Sequence, residues 1–430
     1  MADRLGILSP RSRADRLRRS VIVVALVVTA FKLHLAWSTG GSNDVFNFAE
    51  FAKAIRTYGP IDIYGHTLVV GKHVYPVYNH PPLVGWMLVL FNKLVDAGVP
   101  FRFLIRVPAS LADVVTSVLV FELVRSKRSL VEATVAGVMV ACSPALIIVS
   151  GFHGNTDPVF VMFAFLSLWL LVTDRSAVLA GLSFGLSMSI KIVPIVALPV
   201  LLLIAARSGR RRLYGFLGGS AAVFVVLWVP VLVKRWRPFS KNVLGFKGYP
   251  GKWGLVQIAT ISGLSRHAIT LLEGPGRMPL LLVTAGVPLL IAWRRPGASI
   301  LAFGMSFVAV LLLSTATGGR YLVWAIAAAF LIDVRAAVVY NIAASTLLLV
   351  VYDRWAGGFP WNIAHGSPWT HNETVLAGIA WLALLAVAVM GLWNQRKEPR
   401  LGDDSSDQSD GGEPDRAPPD EVRLVTGEVH

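Results

Sequence analysis

The sequence predicts an all-α protein that crosses a membrane many times, and three observations carry that prediction. Apolar runs of about 17 to 25 residues, the length that spans a bilayer, recur along the chain. Hydrophobic residues make up 55% and charged residues only 15%, with a mean hydropathy of +0.62, too apolar for an ordinary soluble domain. Many of the 13 Trp and 9 Tyr residues lie near the ends of the runs, where interface anchors sit.

The net charge of +15 is distributed as topology rather than as a nucleic-acid groove. Basic clusters fall between apolar runs, at 11–19, 125–128, 207–212, 293–296, around Arg335 and at 396–400. The positive-inside rule puts all of them on the cytoplasmic side. About twelve spans then follow, near 20–37, 105–124, 131–148, 157–173, 176–190, 192–206, 214–233, 278–293, 298–315, 320–334, 336–352 and 374–393. Both termini are expected in the cytoplasm. Residues 1–19 form a basic N-terminus, 20–393 the membrane domain with a long outer loop at 38–104, and 394–430 an acidic, Ser/Pro/Gly-rich tail that cannot bury a core. The start reads as a retained first helix, because no small-residue cleavage site follows it and more spans do. The lone Cys142 excludes an internal disulfide and is expected to pack as a small apolar residue.

Two segments need a special reading. PPLVGWMLVLFNKLVDAGV, 81–99, is apolar, but a full crossing would push RSKR at 125–128 outside. It is expected along the outer interface, with a thirteenth span as the alternative. The run 176–205 is broken by Lys191 and Pro194, so it reads as two short spans with their turn sunk near the outer surface.

With this topology the unusual polar residues collect on the outer side. Asp44 and Glu50 follow the first span in NDVFNFAEF. Asn43 or Asp44 can cap a short helix there. Asp44 can also act as a general base that takes a proton from a hydroxyl nucleophile. In YNHPPL, Tyr78 and His80 precede two prolines, and His80 can contact a sugar or phosphate. Arg106 breaks the positive-inside trend and so needs an anionic partner. SGFHGNTDP brings His153, Asn155 and Asp157 together at the start of a helix that Asp157 can cap. His153 and Asp157 alone are too few for a metal cage. Lys191 and Arg320 either snorkel to lipid phosphates or face one cavity and hold a lipid-linked phosphate. The chain carries no Walker or Rossmann fingerprint.

In chain order, NDVFNFAEFAKAIRTYGPIDIY, YNHPPL, IRVPASLADVVTSVLVFELVR, SGFHGNTDPVFVMFAFLSLWLL, LAGLSFGLSMSIKIVPIVALPVLLL and TGGRYLVWAI resemble segments of the GT-C type integral membrane glycosyltransferases. These enzymes use polyprenyl-phosphate sugars, and the likeness covers roughly residues 20 to 350. It implies a GT-C fold with juxtamembrane helices at 43–58 and 81–99 in the first outer loop. It makes Asp44 the base and Lys191 and Arg320 the cations near the lipid phosphate. His153 and Asp157 match a less well assigned polar motif. Some members carry paired acids after the first helix, whereas here Asn43 precedes Asp44 and Glu50 is offset by about two turns.

The implied reaction is inverting transfer of a hexose from a polyprenyl-phosphate donor to a lipid-linked or glycan acceptor at the extracytoplasmic face. The chain resembles the mannosyltransferase branch, and the rival reading is a lipid-linked glycan flippase or other transporter. The expected substrate contacts are His80, Arg106, His153, Asp157, Lys191 and Arg320, with Glu50, Tyr78 and Asn155 behind them. Trp253, Trp355, Trp361 and Trp369 can stack on sugars or anchor the interface. Expected partners are the donor, the acceptor and membrane lipids, not nucleic acid. No metal ligand set is legible, and a divalent cation at the phosphate stays open.

Overall fold

In lipid every backbone N–H and C=O must be satisfied within its own segment, so the apolar runs fold as helices. The computed structural model describes residues 10–66, 69–70, 73–74, 77–246, 253–315 and 318–400. Residues 1–9 of the basic N-terminus and the acidic tail from 401 lie outside the described residues. The chain begins with α1 (Pro10–Ser38), α2 (Asn43–Asp62) and α3 (Pro82–Asp96). Then come α4 (Phe101–Arg125), α5 (Leu130–His153), α6 (Asp157–Val172), α7 (Ala177–Ile190) and α8 (Val193–Arg207). The second half holds α9 (Arg210–Leu227), α10 (Val229–Leu244), α11 (Arg277–Arg294), α12 (Pro296–Leu313), α13 (Gly319–Ile332), α14 (Val334–Ala356) and α15 (His371–Lys397). Among two-residue strands, β1 (Gly41–Ser42), β2 (Val69–Val70), β3 (His73–Val74) and β4 (Ile363–Ala364), β1 runs parallel to β4 and β2 antiparallel to β3.

The protein is an all-helical membrane protein. Among the described residues seven helices are long and apolar enough to cross a bilayer: α1, α4, α5, α11, α12, α14 and α15. The pair α9 and α10 passes the same test together but bends by 65°. Four shorter apolar helices, α6, α7, α8 and α13, complete a set compatible with the expected twelve. The short α3, 15 residues long, packs along α2, where Arg56 Nη1 meets Asp96 at 2.8 Å and Asn92 Nδ2 donates to the Ala52 carbonyl at 2.7 Å. That arrangement agrees with a juxtamembrane helix at 81–99.

The basic clusters meet at one end of the bundle. Arg18 lies 3.7 Å from Glu122, and Arg128 donates to the Ile332 carbonyl at the end of α13. Arg207 donates to the Ala292 and Trp293 carbonyls, both at 2.6 Å, at the end of α11. Cations at helix C-termini satisfy orphan carbonyls and the negative end of the dipole. The opposite end, where α1, α5, α7 and α14 finish and α6, α8 and α13 begin, carries the polar residues taken up below.

Two details correct the sequence reading. Cys142 is exposed, at the break in α5 between Ala141 and Pro144, rather than packed. Past that break α5 continues as a π-helical turn, Ile147–His153, and Gly154 at φ +82° turns the chain out of it. Deep beside this turn Lys32 Nζ and Ser150 Oγ both reach Asp113 Oδ2 at 2.6 Å, so the buried carboxylate and ammonium are matched.

Helices α7 and α9 approach through paired glycines. A Cβ on Gly181 would run into the Phe216 carbonyl, and one on Gly219 into the Val178 carbonyl. Close backbone approach of this kind is the usual device for packing helices in lipid. Gly219→Val is expected to lower stability by about 1–3 kcal/mol through overpacking. Gly218→Ala, with open space at its Cβ, is expected to be neutral or slightly stabilising, and unfolding curves in detergent measure both.

Candidate active site

The position of Asp44 is set before α2 begins. Ser42 is the N-cap, and its Oγ accepts from the Asp44 N–H at 3.1 Å. Neither Asn43 nor Asp44 has the capping role, so the Asp44 carboxylate is free to face inward. The same Ser42 hydroxyl donates to the His153 carbonyl at 2.8 Å. Gly41 donates to the Asn362 carbonyl at 2.9 Å in the β1–β4 pairing. Asp44 is thus pinned between the end of α5 and the loop before α15.

Three separated parts of the chain meet at this carboxylate. Asp44 Oδ2 lies 3.0 Å from His153 Nε2 and 3.3 Å from Arg320 Nη1. The other ring nitrogen, His153 Nδ1, lies 2.6 Å from the Tyr352 hydroxyl. An ionised Asp44 only accepts, so with a neutral ring Nε2–H donates to Asp44 and Nδ1 accepts from Tyr352. Burial raises the Asp44 carboxyl, but Arg320 and then His153 outweigh it and hold it below the ordinary carboxylate range.

A second group adjoins the first. Asp157 Oδ1 takes Lys191 Nζ at 2.6 Å, and Oδ2 takes Trp324 Nε1 at 2.8 Å. Asp157 therefore does not cap α6; its backbone N–H is held by Asn155 Oδ1 at 3.2 Å instead. Lys191 also lies over the rings of Tyr321 and Trp324, at 4.2 and 4.6 Å. Aromatic faces favour a cation there.

Asp44, His80, Asn155, Lys191 and Arg320 line one cavity of about 350 Å³. His153 and Asp157 are buried behind it and position Asp44 and Lys191. Phe48, Phe51, Tyr321 and Trp324 form its aromatic surface, and Val193, Val243, Leu244, Leu280 and Leu281 continue it as an apolar wall. His80 stacks on Phe48 with ring centroids 4.8 Å apart. Burial and then the Lys191 charge push its imidazole down to about 4, so it is neutral at pH 7.

Helices α6 and α7 have 16 and 14 residues, roughly 24 and 21 Å, short of the ~30 Å hydrocarbon layer. All four short helices, α6, α7, α8 and α13, have one end at or next to the cavity.

Several expected contacts are not cavity residues. Arg106 is fully buried, and its Nη1 lies 3.3 Å from the Leu35, Ala36 and Thr39 carbonyls and 3.0 Å from Thr39 Oγ1. Its anionic partner is the C-terminal end of α1, not a substrate. Glu50 pairs with Lys53 at 2.6 Å away from the cavity. Tyr78 is buried behind His80. Trp253, Trp355, Trp361 and Trp369 line none of it. Tyr352, Trp324, Tyr321 and Ser42 were missed. Tyr321 and Trp324 stand directly after Arg320 in GGRYLVW, so their signal was adjacency to a buried cation. Among the described residues no group of three or more His, Cys, Asp or Glu could hold a metal ion.

Residues 79–233 match the family model described as dolichyl-phosphate-mannose-protein mannosyltransferase, in line with the resemblance seen in the sequence. No curated protein matches the chain. Two crystal structures of ArnT from Cupriavidus metallidurans, one bound to undecaprenyl phosphate and one in the apo state, align with 86% of this chain and 76% of theirs. Both have a TM-score of 0.48, at 16% and 17% identity respectively.

The Lys191–Asp157 pair makes an asymmetric prediction. Asp157 is 1% exposed and Lys191 23%, so Lys191→Met strands a buried charge whereas Asp157→Asn leaves a lysine that can reach cavity water. Lys191→Met is expected to cost about 3–5 kcal/mol of stability and Asp157→Asn about 1–3 kcal/mol. The double variant should cost less than the two added together, read from unfolding of the purified protein.

Proposed function

We propose that the protein transfers a hexose from a polyprenyl-phosphate donor to a hydroxyl of a lipid-linked or glycan acceptor, with inversion, at the extracytoplasmic face. The observation that carries the reading is the single cavity that gathers one carboxylate, Asp44, and two cations, Lys191 and Arg320, against an apolar wall. A sugar on a lipid phosphate has the matching parts: a polar head, an anionic link and a long apolar tail. The family match over 79–233, whose description names dolichyl-phosphate mannose, supports mannose as the first hexose to test. The basic clusters at the other end of the bundle support an extracytoplasmic cavity.

In this reading Asp44 removes the proton from the acceptor hydroxyl. The oxygen attacks the anomeric carbon as the bond to the phosphate oxygen breaks. The electron pair leaves with the polyprenyl phosphate, whose charge Lys191 and Arg320 offset. His153 and Tyr352 act as positioning residues that fix the Asp44 rotamer. Without donor, Arg320 holds Asp44 as a weak base. A phosphate at Arg320 shares that cation, so the Asp44 carboxyl rises toward a value suited to proton transfer.

A transporter would carry its polar residues through the middle of the membrane. Here the deep polar groups, Lys32 with Asp113 and Ser143 with Asn341, are paired internally and line none of the cavity. That favours the enzyme over the flippase.

The direct test is a turnover assay with labelled polyprenyl-phosphate hexoses and a panel of acceptors. Asp44→Asn is expected to lose about 10²–10⁴-fold in kcat, the range for a general base. Full turnover in that variant would remove Asp44 from the role, and transfer from a nucleotide sugar without lipid carrier would remove the donor class.

The pH dependence follows from the same contacts. A depressed carboxyl stays ionised above its pKa and loses function only as pH falls through it. With His80 at about 4 and Asp44 lower still, kcat/KM should stay level from about pH 5 to 7. Arg320→Gln removes the main lowering influence, so the acid limb of kcat/KM should move upward in that variant. An unmoved limb would detach Asp44 from the profile.

A further inference from the structure

The segment 234–277 carries eight Lys or Arg residues and a single acid, Glu273. Val243, Leu244, Phe246 and Arg277 from its described parts, 234–246 and 253–277, line the cavity, opposite the basic clusters that set topology, so the positive-inside rule does not explain the charge there. Much of this charge sits on α10. The 65° bend after α9 turns α10 away from the direction of the spanning helices.

Helix α10 breaks at Arg235, whose φ of −135° and ψ of 31° are non-helical, and it ends as a π-helical turn over Ser240–Leu244. Lys234, Arg237 and Lys241 are exposed along it. None has an ion-pair partner among the described residues, whereas Arg235 is bonded to Asp62 at 2.9 Å. Other cations at this end, Arg56 and Arg354, are also matched by carboxylates. Among these cations Val233, Trp236 and Leu244 are 79%, 53% and 49% exposed. Exposed apolar side chains interleaved with unmatched cations fit the boundary between lipid tails and headgroups, not bulk water. Leu244 is both exposed and part of the apolar wall of the cavity.

We infer that α10 is a docking strip for anionic phospholipid headgroups, placed at the mouth of the cavity. Lys234, Arg237 and Lys241 hold the headgroup phosphates while Val233, Trp236 and Leu244 sit among the acyl chains. The strip keeps the wall of the cavity seated in the interface, so turnover should depend on the anionic content of the surrounding leaflet. The inference stands apart from the reaction assigned to the cavity, because lipid retention can be read without turnover.

The test compares full-length wild-type protein with Lys234→Gln/Arg237→Gln/Lys241→Gln in nanodiscs of phosphatidylcholine with increasing phosphatidylglycerol. None of the three residues belongs to the machinery around Asp44. After extraction into detergent, native mass spectrometry should show phosphatidylglycerol adducts on the wild type. Each charge removed should lower retention by about fivefold, with the thermal midpoint nearly unchanged. The double variant Lys234→Gln/Lys241→Gln, which keeps Arg237, should therefore retain more lipid than the triple variant and less than the wild type. Activity of the wild type should rise with phosphatidylglycerol content, and that of the triple variant should stay flat. Equal retention in the wild type and the triple variant would overturn the inference. So would adducts on the wild type that polyprenyl phosphate displaces at equimolar amounts, since the strip would then serve the donor.

Discussion

The Asp44 carboxylate shared by His153 and Arg320 is the interaction on which the rest of the arrangement depends. Its three members come from the start of α2, the end of α5 and the start of α13. Bringing them within hydrogen-bond reach fixes where those helices must end relative to one another. A partly buried carboxylate is tolerated only with its partners in place, because an uncompensated charge in low dielectric costs several kcal/mol. The supporting bonds serve that end. Ser42 ties the start of α2 to the His153 carbonyl, Tyr352 holds the far nitrogen of His153, and Arg106 closes the end of α1 just before the β1 strand.

The membrane supplies the second constraint. Under the proposed reaction a polar floor must be reachable from water yet sit where a lipid-borne group can reach it. The short helices meet both demands by ending early, so that their termini, rather than irregular backbone in contact with lipid, form the floor. The deeper ion pair of Lys32 with Asp113 belongs to the same scheme. It holds Ser150 in the π-helical turn whose last residue is His153. The paired glycines of α7 and α9 bring a backbone close to the helix that ends at Lys191.

Much of this was legible in the sequence, for physical reasons. Helices announce themselves by apolar run length, so the long helices α1, α4, α5, α11, α12, α14 and α15 were readable. Lys191 and Pro194 gave away the break between α7 and α8, because a lysine in lipid is costly and a proline cannot continue the ladder. Asp44, His153, Asp157, Lys191 and Arg320 stood out as polar residues at apolar ends. Arg106 stood out in the same way and was misread, because sequence does not show that a cation's partner is a neighbouring helix terminus. Tyr352 and Ser42 were invisible, since a buried tyrosine near a helix end and a serine before a helix are commonplace until the fold supplies their partners. The cap was placed one or two residues late for the same reason. The exposed cations of α10 fall between the expected spans at 214–233 and 278–293, and their meaning depends on the bend that lays them at the cavity end.

In the proposed mechanism Arg320 exchanges Asp44 for a lipid phosphate when donor binds. The measurement that meets it most directly is a structure of the protein in nanodiscs with a non-hydrolysable polyprenyl-phosphonate hexose. Phosphonate oxygens are expected within hydrogen-bond reach of Arg320 and Lys191. The Asp44–Arg320 contact should be longer, with Asp44 on the side of the anomeric carbon opposite the phosphonate. A phosphonate bound elsewhere, with the 3.3 Å Asp44–Arg320 contact intact, would contradict it.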